Sequence, residues 1–114
     1  LFAPDAAGFG PPFAALLLAE VARADRLKPL WTPAERDAVV TAAARFVAEV
    51  RDYRGYDPRE GWRHAVAHGA DLLMQLALNP QLDRAQLDRI LEAVRAQATP
   101  ATHFYVFGEG ERLA

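Results

Sequence analysis

The chain contains no cysteine and no serine. The first absence excludes disulfides, thiolate metal centres and a cysteine nucleophile. The second excludes serine-hydrolase chemistry, and neither a G-x-S-x-G elbow nor a glycine-rich phosphate loop is present. Charge of one sign is also missing. Thirteen Lys and Arg stand against fifteen Asp and Glu, for a net charge of −2, so there is no basic footprint for nucleic acid and no acidic tail for a basic partner. Long apolar runs are absent too. The longest, Phe13 to Ala19, is far short of the roughly 20 residues that span a bilayer, and Glu20, Arg23 and Asp25 follow it at once. No basic start precedes that run, so it does not read as a signal peptide. These absences fit a cytoplasmic protein that binds neither nucleic acid nor membrane.

What is present is helix-building material. Of 114 residues, 52% are apolar and 25% charged, the balance of a globular chain large enough for one core. We expect a single all-α domain over 1–114. The start at Leu1 and the stop at Glu111-Arg112-Leu113-Ala114 suggest a piece of a longer helical protein.

Residues 1–12, with Gly8, Gly10, Pro11 and Pro12, read as an irregular lead-in. A first helix is expected from Phe13 to about Asp25, with Phe13, Leu16, Leu17 and Val21 as its apolar face. The second starts at a capping box, with Thr32 as cap, Pro33 in the first helical position and Glu35 three residues after the cap. Its stripe is Val39, Ala43, Phe46, Val47 and Val50, and Gly55 ends it through a left-handed turn. Asp57, Pro58 and Glu60 repeat the device and predict a third helix from there to Asn79-Pro80, with Ala65, Gly69, Leu72, Leu73 and Leu76 inward. A fourth runs from Asp83, a cap with Gln86 three residues on, to about Gln97, burying Leu87, Ile90, Leu91 and Val94. Phe104 to Phe107 reads as an apolar plug or short helix, and no segment alternates long enough to be a strand. Short loops predict antiparallel helical hairpins, and two successive pairs suit an irregular α-solenoid.

The chemistry concentrates between Asp52 and Leu73. On a helix, His64, His68, Asp71 and Gln75 fall within a stripe of about 60°, each about one turn from the next. Ala67, Met74 and Leu78 on the flank predict a largely buried helix whose polar stripe lines a groove or pocket. His64, His68 and Asp71 are a candidate set for a divalent metal such as zinc, iron or manganese. Ala65-Val66-Ala67 between the histidines lacks the glutamate of a zinc protease. The plainer reading is structural: half-buried histidines donate to carbonyls or carboxylates, and Asp71 pairs with Arg54 or Arg63. A small polar ligand or acid–base work is the third option. Arg54 and Trp62 could wall an anion pocket at the helix start, although Asp57 and Glu60 place negative charge there. Otherwise Trp62 is a core anchor and Asp52–Arg54 a buried tether between helices two and three. Glu109 or Glu111, after the turn at Gly108, could reach the histidine stripe. His103 reads as surface or loop.

These residues carry a family resemblance. Asp52-x-Arg54-Gly55, then Gly61-Trp62-x-His64-Ala65-x-Ala67-His68-x-Ala70-Asp71-Leu72-Leu73, then Gly108-Glu109-x-x-Arg112-Leu113 resemble the bacterial DUF2785 proteins, in order over most of the chain. The resemblance implies a HEAT-like helical fold and a shared polar cluster of Arg54, Trp62, His64, His68, Asp71, Glu109 and Arg112. It implies no reaction. Pro11-Pro12-Phe13 departs from the polar R-S-F-like start that the family leads one to expect. Two functions follow as expectations: a helical scaffold or interaction module for a protein or small polar ligand, and alternatively a metal- or ligand-dependent enzyme using His64, His68 and Asp71.

Overall fold

Cap chemistry sets the two clearest helices. In the computed structural model, which describes residues 5–98, Tyr105 and residues 108–114, the Thr32 side chain accepts from the Glu35 amide at 3.2 Å and the Glu35 carboxylate accepts from the Thr32 amide at 2.8 Å. With proline in the first turn this box starts helix α2, Pro33–Glu49. Asp83 and Gln86 exchange the same pair of bonds, both at 2.8 Å, ahead of α4, Arg84–Ala98. The other helices are α1, Gly10–Leu27, α3, Ala65–Ala77, and the short α5, Glu109–Leu113. The fold is therefore mostly helical. His103 and most of the Phe104–Phe107 segment lie outside the described residues.

Besides Leu91, expected inward on α4 but 65% exposed, and the end of α2, which comes at Glu49 and not at Gly55, three sequence expectations are corrected. First, α3 does not begin at Asp57. Tyr56–Asp57 (β1) and Gly61–Trp62 (β2) form a small antiparallel hairpin, with Tyr56 opposite Trp62 and Asp57 opposite Gly61. The Asp57 carboxylate accepts from the Arg59 and Glu60 amides at 2.8 and 3.0 Å. An aspartate can satisfy two amides in a turn as readily as at a helix start. Gly61 at φ +84°, rather than Gly55, supplies the left-handed residue.

Second, α1 starts at Gly10, with Pro11 and Pro12 in its first turn, and buries Pro12, Ala15, Ala19, Ala22 and Asp25. Phe13, Leu16, Leu17 and Val21 are exposed. The small alanine face lets α1 lie close against α3, and the bulky residues are left on the far side.

Third, neighbours in sequence are not the main packing partners. α1 packs most extensively on α3 and α2 on α4, while α2 also packs on α3, and α3 on α5. Both main pairs run parallel. Arg63 Nε reaches the Ala7 carbonyl at the N-terminal end of α1/α3, and Asn79 reaches Asp25 at the other. Gln86 and Arg89 reach Asp37 at one end of α2/α4, and Gln97 reaches Val47 at the other.

A buried polar junction ties these pairs together. The Asp25 carboxylate accepts from Arg36 Nε at 2.7 Å, Arg36 Nη2 at 2.9 Å, Asn79 Nδ2 at 2.8 Å, and the Leu30 and Trp31 amides at 2.8 and 2.9 Å. Its side chain and that of Arg36 are 0% and 3% exposed. The Arg36 guanidinium holds the carboxyl of Asp25 well below the usual carboxylate range. Gln97, fully buried, plays the same part at the other end. Its amide donates to the Val47 and Val50 carbonyls at 2.7 and 2.9 Å, capping α2. Its Oε1 accepts from the Tyr53 and Tyr105 hydroxyls at 3.1 and 2.7 Å.

Candidate functional site

His64 stands just before α3 as its N-cap residue, at φ 50°, ψ 45°. A non-glycine residue in this left-handed region is strained by about 1–2 kcal/mol. Two backbone bonds hold it there. Its amide donates to the Arg54 carbonyl at 3.3 Å, and its carbonyl accepts from the His68 amide at 2.9 Å. The Arg63 amide bonds Gly55 at 3.0 Å beside it. The strand pair thus feeds the chain into the helix at a fixed angle.

That angle stacks four rings. Tyr56 lies 5.1 Å from Trp62, Trp62 lies 4.3 Å from His64 with planes only 10° apart, and His64 meets His68 edge-on at 6.0 Å. Trp62 is not a core anchor: it is 48% exposed. Its indole covers the His64 ring and leaves part of its own surface to solvent.

His68 is half-buried on α3. Its Nδ1 is buried and has no hydrogen-bond partner among the described residues. A buried polar atom in that state loses its solvation without compensation, at about 1–3 kcal/mol. Burial first, and then the neighbouring His64, hold the His68 pKa below its ordinary value, with Arg112 acting the same way and Asp71 opposing. The ring is consequently neutral near pH 7.

Asp71, one turn further on, is paired with Arg112 Nη1 of α5 at 2.5 Å. Neither Arg54 nor Arg63 takes that role. Arg54 pairs with Asp52, Nη2 to Oδ2 at 2.5 Å, in a partly exposed contact ahead of the hairpin. A side chain at Gly8 would strike this pair, so the lead-in packs directly on it. The pair is thus a clasp on the N-terminal segment and not a buried tether between α2 and α3. No helix starts at Asp57, so the anion pocket expected there loses its helix terminus. Arg63 is buried, pairs with Glu60 and lies 4.4 Å from the centre of the Phe9 ring.

The structure therefore brings together Trp62, His64, His68, Asp71 and Arg112, with Tyr56 added. Arg54 belongs to a separate contact. Glu109 is buried on α5, near enough to contribute, after burial and Tyr53, to a Tyr105 hydroxyl pKa pushed up to about 12. Glu111 is exposed. Among the described residues, no three or more His, Asp or Glu side chains gather closely enough to hold a metal. Met74 and Leu78 are exposed, so α3 is buried on fewer sides than its composition suggested. A cavity of about 820 Å³ lies elsewhere, along Thr41, Ala42, Arg45 and Phe46 of α2 and the Asp5–Gly8 segment. It is not lined by either histidine. The Asp25–Arg36–Asn79 junction was not legible in the sequence. Its one signal is that Asp25 continues the Ala15, Ala19, Ala22 face.

No helix among the described residues is long and apolar enough to cross a membrane. No curated protein and no solved structure matches the chain. The family model described as protein of unknown function (DUF2785) matches residues 4–114. The chain belongs to the DUF2785 family.

Proposed function

We propose that this DUF2785 chain is a helical binding module that takes a small polar ligand against His68 and Arg112. One observation carries the reading: His68 Nδ1 is buried with no partner among the described residues, beside a ring stack whose outer member, Trp62, is half exposed. A ligand oxygen accepting from Nδ1–H would satisfy that atom. Arg112 has five N–H donors, and its bond to Asp71 uses one nitrogen, so the guanidinium keeps donors for the same ligand. Acceptor-rich groups such as carboxylate or phosphate suit this pair best. The strain at His64 is of the kind that persists where a site needs a side chain held in one position.

The architecture supports the scaffold half of the reading. Alternate helices stack in parallel, α1 on α3 and α2 on α4, as in successive hairpins of a HEAT-like α-solenoid. We take that solenoid, and a cytoplasmic bacterial setting, as part of the proposal. A second reading, acid–base catalysis, has one observation in its favour: burial keeps His68 in the neutral form that a general base needs. The His64, His68 and Asp71 metal set has no comparable support, because Asp71 is engaged by Arg112.

The test is a thermal-shift screen of wild type and His68→Ala against acetate, malonate, succinate, inorganic phosphate and neutral amides. At one hundred times its Kd a ligand stabilises by about 2.7 kcal/mol. Stabilisation by a carboxylate or phosphate in wild type alone is the expected result. Equal shifts in both proteins, or none in either, would overturn the reading.

A further inference from the structure

The outer face of α1 is left unused by the binding site. Phe13 is 48% exposed, Leu16 38%, Leu17 69% and Leu27 65%, and Leu30 follows just past the helix, also exposed. Large apolar side chains left exposed together along one helix mark an interaction site.

The order of residues along this face says what fits it. Phe13, Leu16, Glu20, Arg23 and Leu27 recur at spacings of three, four, three and four, the spacing of contact positions between two packed helices. The seam is apolar at its ends and carries one acid and one base at its middle. Neither Glu20 nor Arg23 forms an ion pair with another described residue. Place a second α1 antiparallel, related by a two-fold axis passing between Val21 and Ala22. Leu16 then lies opposite Leu27 of the second copy, and Glu20 opposite Arg23 of the second copy. Phe13 lies over the segment leading to Leu30. Because a two-fold contact is reciprocal, every pairing occurs twice, and both central charges are matched. A parallel arrangement would instead set Glu20 against Glu20 and Arg23 against Arg23.

We infer that two copies of this chain associate through α1, antiparallel, with Glu20 and Arg23 selecting the register. The seam lies on the side of α1 away from its alanine face on α3, so association needs no unfolding. An interface of one helix per copy sits at the small end of the stable range, roughly 1,200 Å², and association belongs in the micromolar range.

Sedimentation equilibrium over a micromolar concentration series tests this, with circular dichroism confirming that each variant is folded. Wild type should dimerise. Glu20→Arg and Arg23→Glu should each raise the dimer Kd at least about tenfold, because each sets like charges together twice. Mixing the two variants should restore dimers, since every central contact in the mixed pair is again acid against base. A wild type that stays monomeric throughout, its α1 face serving another partner, would overturn the inference. So would a dimer indifferent to either substitution, or folded variants whose mixture does not recover association.

Discussion

Replacing Asp25 by alanine should be among the most damaging single changes in this chain. The carboxylate accepts five hydrogen bonds from Leu30, Trp31, Arg36 and Asn79. Its removal leaves the Arg36 guanidinium buried, with the Trp31 carbonyl at 2.9 Å still accepting from Nη2. Breaking a buried ion pair from one side costs about 3–5 kcal/mol, against a total stability of about 5–15 kcal/mol for a domain. Urea unfolding should show a loss of that size, and the melting temperature should fall by at least roughly 10 °C. Asp25→Leu combined with Arg36→Met should recover only the part of the loss that the unpaired guanidinium causes, because the Leu30 and Trp31 amides and Asn79 Nδ2 stay without their acceptor. The same pair sets an acid limit. The Asp25 pKa is depressed in the folded state, so its stabilisation is complete above the unfolded carboxylate pKa of about 3.9 and is lost as pH falls below it. A loss under about 1 kcal/mol for Asp25→Ala would refute a buried charge pair as the junction of α1, α2 and α3.

Three further outcomes follow from packing and titration. Gly69→Ala would put a Cβ 2.7 Å from Val47 Cγ2 and 3.3 Å from Phe46 Cε1; instead of the usual gain for alanine in a helix, urea melts should show a loss of about 1–3 kcal/mol. Thr32→Ala should cost about 1 kcal/mol through the broken capping box, read from the same melts. The depressed His68 pKa means that the unfolded chain protonates first as pH falls below about 6.5, so stability should decline from that point downward; His68→Gln should flatten this part of the stability–pH curve relative to wild type.

Local chemistry was legible in the sequence where it had one interpretation. Thr32-Pro33-x-Glu35 and Asp83-x-x-Gln86 start helices because a short side chain meets an amide three residues on. Asp57-Pro58-x-Glu60 has the same letters and makes a hairpin turn. What decides there is the pairing of Tyr56 with Trp62 and the positive φ of Gly61, neither of which is local to the motif. The face of α1 was misread because hydrophobicity ranks leucine above alanine as core material. Close helix approach reverses that order, burying Ala15, Ala19 and Ala22 and exposing Leu17. Among the candidate site residues, His68 and Asp71 were legible as neighbours from their helical spacing, whereas Arg112 as the partner of Asp71 was not, because it lies 41 residues on in sequence. The stacking of Trp62 on His64 was not, since it depends on His64 standing outside the helix in a left-handed conformation. The Asp25 junction joins residues 11 and 54 apart in sequence, beyond the reach of any periodic pattern.

The ligand site at His68 is tested most directly by nitrogen NMR of the imidazole rings during a malonate titration, in wild type and Arg112→Ala. The expected result is a saturable change at His68 Nδ1 in wild type that is greatly weakened in Arg112→Ala. A His68 Nδ1 resonance that does not move, or that drifts in proportion to malonate in both proteins, would contradict a binding site there.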